Sequence, residues 1–188
     1  MNWKKSRWAA FKPLFALVIF VFSGFISGDN GAMPVPNGIN NMLFYVQRSL
    51  NKNTIIYQLN LNDKNELNEA EPIKIFWKNY ATNGTVEPLN YVQKKYAYGI
   101  ESFLSDKERK IYTFHFVSYK KQLLYLAKTS DKKYHVFSYF GSKLIVVQRV
   151  YVQINGGSFW TPRVKYIEVS GTDPVKNEPV TEKIVIEK

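Results

Sequence analysis

The sequence predicts an α+β domain made mainly of antiparallel β-structure, with about eight strands that form a curved sheet, a barrel or a sandwich. Eight short segments beyond residue 41 are rich in β-branched and aromatic residues, as is typical of strands. Short polar turns join most of these segments and leave no room for the long crossovers that parallel strands require. One short helix is predicted near residues 90–99, because that segment carries both a start and a stop signal.

Three strands are predicted in the first part of the domain, over residues 42–48, 54–61 and 73–80. The polar stretch Asn51-Lys52-Asn53 separates the first two strands. The loop over residues 62–71 is too acidic and too rich in asparagine to be part of a core. Asn83-Gly84 predicts a hairpin turn after the third strand, because both residues tolerate a positive φ.

The predicted helix begins at Asn90, which is a favourable N-cap residue. Gln93 stands three residues later, in the spacing of a capping box. Gly99 suits the left-handed residue that ends many helices. A helix of about two turns is not stable alone in water, so we expect it to pack on the sheet.

The second half of the sequence predicts a meander of five strands, over residues 111–118, 122–128, 134–140, 144–154 and 158–169. The fourth of these is apolar on both alternating faces, which favours a sheet that curves around a core. Asn155-Gly156 predicts a two-residue hairpin turn. In that register Tyr151 would face Trp160, forming an aromatic cross-strand pair.

The N-terminal 28 residues have the organisation of a secretory signal peptide. Four basic residues precede an uncharged run of 16 residues, 13–28. That run is shorter than the roughly 20 residues a membrane span requires, so cleavage is favoured over a retained N-terminal anchor. We expect a signal peptide over residues 1–28, a flexible lead-in over 29–41 and one β-rich domain over 42–188, periplasmic or secreted after cleavage.

The charge of the chain bears on its partners. The formal net charge is +11, and without the four basic residues of the predicted signal peptide 22 basic and 15 acidic residues leave +7. A basic exported domain would favour an acidic glycan, an anionic lipid or another envelope protein, and nucleic acid is disfavoured outside the cytosol. The chain contains no cysteine, which excludes cysteine nucleophiles, thiolate zinc sites and disulfide chemistry.

No catalytic signature, metal-ligand spacing or cofactor motif is found in the sequence. His115 and His135 are the only histidines, and both lie in predicted strands. We therefore expect a cell-envelope domain that acts as a non-catalytic binding or structural module. Two alternatives stay open. One is a hydrolase of an envelope polymer that uses Glu168 or Glu101 with a histidine, and the other is a carrier of a small apolar ligand in a barrel cavity.

The candidate binding surface consists of Trp160, Arg163 and Tyr151. The stretch 160–163 follows two glycines and combines an indole, a guanidinium and a proline that weakens strand pairing. Aromatic faces combined with a cation can bind sugars or acidic groups. The competing interpretation is a core tryptophan beside an edge-strand proline.

Five segments carry a family resemblance: Phe44-Tyr45-Val46-Gln47-Arg48, the run Asn-Lys-Asn-Thr-Ile-Ile-Tyr over 51–57, Ile75-Phe76-Trp77, and residues 87–99 and 171–182. On these segments the chain resembles a family of exported bacterial domains of unknown function, over about residues 36–186. The resemblance implies a single β-rich domain after a signal peptide. It implies no activity, ligand or catalytic residue.

Overall fold

Strands dominate the computed structural model, which describes residues 33–158 and 161–186. The predicted signal peptide and Trp160 lie outside these residues. The described part contains eleven strands: β1 (Met42–Arg48), β2 (Asn51–Leu59), β3 (Ile73–Asn79), β4 (Thr85–Pro88), β5 (Ile100–Asp106), β6 (Ile111–Phe116), β7 (Tyr119–Lys128), β8 (Tyr134–Phe140), β9 (Lys143–Gly157), β10 (Pro162–Thr172) and β11 (Pro179–Val185).

Nine strands form a sheet that curls into a half-barrel, in the order β4-β3-β2-β1-β9-β8-β7-β6-β5. The long strand β9 also pairs with β10, which in turn pairs with β11, so the sheet branches there. The prediction of a mostly β domain with one short helix is confirmed. The sheet is mixed. β1 pairs with β9 in parallel, whereas β1 with β2 and β9 with β10 form antiparallel pairs.

Two predicted turns lie elsewhere in the structure. The chain reverses at Ser49-Leu50, where Leu50 has a φ of 65°, and Asn51-Lys52-Asn53 belongs to β2. Residues 119–121, the short polar link between the predicted strands 111–118 and 122–128, form the start of β7. The turn predicted at Asn83-Gly84 is confirmed, with φ values of 56° and 74°.

The predicted two-residue turn at Asn155-Gly156 is wrong. β9 continues to Gly157, β10 begins at Pro162, and Tyr151 is paired with Glu168. The glycines do adopt positive φ values, 81° at Gly156 and 90° at Gly157, but they twist the end of the strand. A methyl group on Gly157 would overlap the Thr161 carbonyl oxygen, so the return strand approaches too closely for any other residue.

The helix α1 (Tyr91–Gln93) continues as a π-helical turn over Lys94–Tyr98. Its capping box is confirmed: the Gln93 amide donates to Asn90 Oδ1 at 2.9 Å, and the Asn90 amide donates to Gln93 Oε1 at 3.0 Å. The left-handed stop predicted at Gly99 is wrong, because Gly99 has extended backbone (φ −64°, ψ 164°). Glycine is needed there because a Cβ would overlap the Lys94 carbonyl oxygen.

The described part of the predicted lead-in, residues 33–41, binds to the sheet. Buried Gln47 donates to the Pro34 carbonyl at 2.7 Å, and Lys78 Nζ donates to the Asn37 carbonyl at 2.7 Å. The Leu59 amide donates to the carbonyl of Asn41 at 2.9 Å. Among the described residues, no helix combines the length and apolar character that crossing a bilayer requires.

Aromatic rings fill part of the space that the curled sheet encloses. Phe44 stacks on Tyr57 with ring centroids 4.3 Å apart, and Phe114 lies 6.5 Å from Phe44. Phe116 packs edge-on against both Phe44 and Tyr57. Such aromatic contacts stabilise a core beyond the area they bury. Two members of this stack, Tyr57 and Phe116, also line a cavity in the remaining space.

Candidate functional site

The candidate site is a cavity of about 550 Å³ bounded by the inner face of the curled sheet and by the π-helical turn Lys94–Tyr98. Its aliphatic wall is built by three cross-strand pairs of β9 and β10: Val150 with Val169, Val152 with Ile167, and Ile154 with Val164. Alternation alone would turn Val164 away from Ile167. A register shift between residues 164 and 166 adds one residue, so all three β10 side chains reach the cavity.

The π-helical turn that follows α1 forms a second wall, which we call the helical wall. Its lining residues are Tyr96, Ala97 and Tyr98. Tyr57 Oη donates to the Tyr98 carbonyl at 2.6 Å, and Ser118 Oγ donates to the Ala97 carbonyl at 2.7 Å. These two bonds attach the helical wall to β2 on one side and to the β6–β7 turn on the other.

Trp77 holds the start of the helical wall against β3. Its Nε1 donates to Gln93 Oε1 at 3.1 Å, and its ring meets Tyr98 edge-on at 5.2 Å. Gln93 therefore closes the capping box and binds the sheet with the same side-chain oxygen. A helix of about two turns is marginal alone in water, and these contacts supply the tertiary packing that stabilises it.

Polar side chains lie among the apolar ones. Gln122 Nε2 donates to Ser138 Oγ at 2.7 Å and to the Tyr139 carbonyl at 2.8 Å, and Ser138 Oγ donates to the Leu123 carbonyl at 2.7 Å. Among the described residues that line the cavity, Arg48 alone is charged. Burial raises the pKa of the neighbouring Tyr98 hydroxyl, and the charge and hydrogen bond of Arg48 oppose that shift.

Tyr57 offers a test of this wall, because burial raises the pKa of its hydroxyl well above the ordinary 10.0. A raised pKa means that the neutral hydroxyl stabilises the fold fully below about pH 10, and that this stability is lost as the pH rises through the folded pKa. Tyr57→Phe should cost about 1 kcal/mol at neutral pH, where it removes one hydrogen bond. Above pH 10 the difference should shrink, since phenylalanine cannot ionise.

Urea unfolding at neutral pH and at about pH 11 measures this difference. The matched control is Tyr139→Phe, since the Tyr139 side chain is 53% exposed. We expect the control to follow the wild type at both pH values. A Tyr57→Phe deficit that stays constant with pH would contradict the raised pKa.

The structure separates two residues of the predicted binding surface, Tyr151 and Arg163. Tyr151 lies on the outer side of β9, with the Arg149 guanidinium 5.0 Å from its ring centroid and the Tyr166 ring 6.4 Å away. Arg163 is exposed on β10, five positions before Glu168, the partner of Tyr151. That separation is roughly 16 Å along the strand. With Trp160 outside the described residues, binding at this surface stays a prediction.

Sequence reasoning missed a buried polar network on the outer side of β1. The network includes Arg149, whose guanidinium packs against the Tyr151 ring. Arg149 Nε donates to Gln47 Oε1 at 3.0 Å, and Gln47 Nε2 donates to Thr54 Oγ1 at 3.1 Å. Arg149 also forms an ion pair with Glu168 at 3.5 Å. Because Gln47 is 1% exposed and Thr54 is fully buried, these polar groups fix the packing of β1, β2 and β9.

The carboxylates of the hydrolase alternative both pair with cations. Glu101 accepts from Lys120 Nζ at 2.9 Å, and this hydrogen bond lowers the pKa of Glu101. His115 Nε2 lies 3.5 Å from Glu101, across the β5–β6 pair at the sheet edge. Glu168 binds Arg149 on the outer face. Neither acid lines the cavity. Within the described ranges, no group of three or more His, Asp or Glu side chains is arranged to hold a metal ion.

Arg48 and the aliphatic pairs are the site residues that sequence reasoning missed. One signal was present: alternation along β1 puts Arg48 on the same face as the core residues Phe44 and Val46. A basic residue at the end of an otherwise apolar strand face predicts that its charge is partly buried, as Arg48 is. The pairing of β1 with β9 had no such signal, because the partner residues lie about a hundred positions apart.

A comparison with protein families matches residues 44–183 to the family described as "Domain of unknown function (DUF4833)". Comparisons with curated proteins and with solved structures gave no significant match. The resemblance to a family of domains without an assigned function is thus confirmed, while bacterial origin and the signal peptide stay predictions. The match spans more than half of the 188 residues, so the chain belongs to this family of domains of unknown function.

Proposed function

We propose that the domain is a non-catalytic binding module that holds a small apolar molecule in the half-barrel cavity. One observation carries the proposal: a cavity of about 550 Å³ whose wall is three aligned pairs of valine and isoleucine. Ligand sites typically measure about 300–1,000 Å³ and are lined mainly by apolar side chains with a few polar groups. The cavity meets both criteria.

The construction of the wall supports the same function. The β10 bulge keeps Val164 facing inward, and the positive φ values of Gly156 and Gly157 allow the return strand to approach the end of β9 closely. The helical wall is attached by single hydrogen bonds at Tyr57 and Ser118. A site needs such a rigid frame to hold a ligand in one place.

Blocking the cavity should abolish binding. Val152 lies in the middle of the aliphatic wall, and Val152→Phe adds a ring to the space a ligand would occupy. We expect the affinity for the neutral probe N-phenyl-1-naphthylamine, followed by its fluorescence, to fall by about tenfold or more. The control is Val86→Phe, the same substitution at a residue that is 60% exposed on β4, and it should bind as the wild type does.

Circular dichroism and the thermal midpoint show whether Val152→Phe is folded. A folded Val152→Phe variant that binds the probe like the Val86→Phe control would place binding outside the cavity and would overturn the proposal. Overpacking is expected to lower the midpoint by a few degrees without unfolding the domain.

We further propose that the domain works outside the cytosol, where an envelope component supplies its ligand. The support is the basic start followed by an uncharged run over residues 13–28. Expression with the native N-terminus should yield a protein that begins near Asp29, and intact-mass measurement gives its size. A full-length species of 21.9 kDa recovered with membranes would contradict cleavage and favour the retained anchor.

A further inference from the structure

We propose that the cavity selects an amphiphile with a single carboxylate, whose head group binds Arg48 and whose aliphatic tail lies along the inner face of β9, β10 and β11. The inference rests on the proposed function and names the chemistry of its ligand. The inference follows from the position of Arg48, the one charged side chain of the described lining, relative to the apolar side chains of the cavity.

Arg48 is a half-buried cation at the end of an apolar strand face. It follows Phe44 and Val46 on the inner side of β1 and lines the cavity. Among the described residues no carboxylate forms an ion pair with it, whereas Arg149, on the outer side, pairs with Glu168. A partly desolvated guanidinium is stabilised by an anion. Because Arg48 lines the cavity, an anionic ligand in the cavity can contact its guanidinium.

A continuous apolar path begins at Arg48. The strand registers align Arg48 with Val152, Val152 with Ile167, and Ile167 with Ile184. We call these four residues the cross-strand row, and all four line the cavity. Neighbouring strands lie about 4.8 Å apart, so the three steps of the row span about 14 Å. The row therefore offers a cation at one end and branched aliphatic side chains along the rest, which matches the shape of a fatty acid.

The head-group chemistry favours a carboxylate. The planar guanidinium donates two parallel hydrogen bonds to a carboxylate, and such charge-assisted bonds are about twice as strong as neutral ones. The neighbouring Tyr98 hydroxyl stays protonated, since burial raises its pKa, and it can donate to the same head group. No acidic side chain of the described lining would repel the anion.

The test compares laurate with dodecan-1-ol, which has the same chain length and no charge. Each ligand displaces N-phenyl-1-naphthylamine from the wild type, from Arg48→Gln, and from Arg109→Gln as the control. Arg109 is a fitting control because its side chain is 79% exposed in a turn away from the cavity. We expect the wild type and Arg109→Gln to prefer laurate by about tenfold or more, and Arg48→Gln to lose that preference while still binding the alcohol.

Two further measurements keep the inference falsifiable. Arg48→Lys retains the charge without the fork and should keep only part of the preference for laurate. Dodecyl phosphate should bind more weakly than laurate, and equal or tighter binding would overturn the carboxylate assignment. Equal affinities of the wild type for laurate and the alcohol would overturn selection by Arg48 and leave the apolar site standing. If no ligand displaced the probe or the probe did not bind, the proposed function itself would fail.

Discussion

Gly171→Ala is expected to lower the free energy of unfolding by about 3 kcal/mol, although it adds one methyl group. Gly171 lies where the register of β9 and β10 shifts, and a Cβ there would overlap the carbonyl oxygen of Val146. It would also press on the Ile145 side chain, which is fully buried. A backbone carbonyl held in a strand ladder cannot rotate away as a flexible side chain can, so the two strands must separate.

Urea unfolding with a common m-value measures the loss. Gly38→Ala is the matched control, because its Cβ would meet no atom within 4 Å and only its φ of +68° opposes the methyl group. The control should cost about 1 kcal/mol. A Gly171→Ala variant no less stable than the control would show that β9 and β10 do not approach so closely, and the aliphatic wall of the cavity would then be built differently.

Strands with one or two buried faces could be predicted from the sequence, while exposed edge strands could not. The bounds predicted for β1 and β8, residues 42–48 and 134–140, agree with the structure. β5 reads Ile-Glu-Ser-Phe-Leu-Ser-Asp and has five consecutive exposed residues, so no buried face gives it a periodic pattern. β11 alternates regularly between exposed and half-buried residues, but Glu182 lies on its half-buried face and Val185 on its exposed face, so the hydropathy of its sequence does not follow that alternation.

Local turn rules misjudged the β9–β10 hairpin for a related reason. Asn155-Gly156 satisfies the two-residue rule, but a second glycine and Pro162 extend the connection. Ser158 and Thr161 then close it, with the Thr161 amide donating to Ser158 Oγ at 3.1 Å. Turn propensity indicates only which residues favour a tight turn. The position of this turn is set by the pairing of β9 with β10, in which Gly157 lies opposite Pro162.

The candidate site depends on long-range pairing that no local pattern encodes. Alternation alone places Arg48 on the inner face of β1. That Arg48 aligns with Val152 follows from the parallel pairing of β1 with β9, which joins residues far apart in the chain. The second alternative drawn from the sequence, a carrier of a small apolar ligand, is the function we propose, but the sequence did not indicate which residues line the cavity.

Phe44→Ala should have the largest effect of a core truncation, about 3–5 kcal/mol. Phe44 is 1% exposed and touches three other rings, including Tyr57 at 4.3 Å. The loss of stability has two parts: the lost transfer free energy of the buried ring, and the cost of the cavity that the neighbouring side chains cannot fill. Phe103→Ala is the control, because Phe103 is 57% exposed on the edge strand β5, and it should change stability by no more than about 0.5 kcal/mol.

The same truncation tests the direction of the ligand tail. Phe44 lies on β1 with Arg48 and is not among the described residues that line the cavity, whereas the proposed tail runs from Arg48 across β9 and β10 to Ile184 on β11. A ligand that binds the folded state alone raises its stability in proportion to the logarithm of its concentration over Kd. We therefore expect the difference between laurate and palmitate in how far they raise the thermal midpoint to be the same in Phe44→Ala as in the wild type. If palmitate gained on laurate in Phe44→Ala alone, the tail would lie toward the aromatic stack instead of along β9, β10 and β11, because only a ligand that reaches the emptied space can use it.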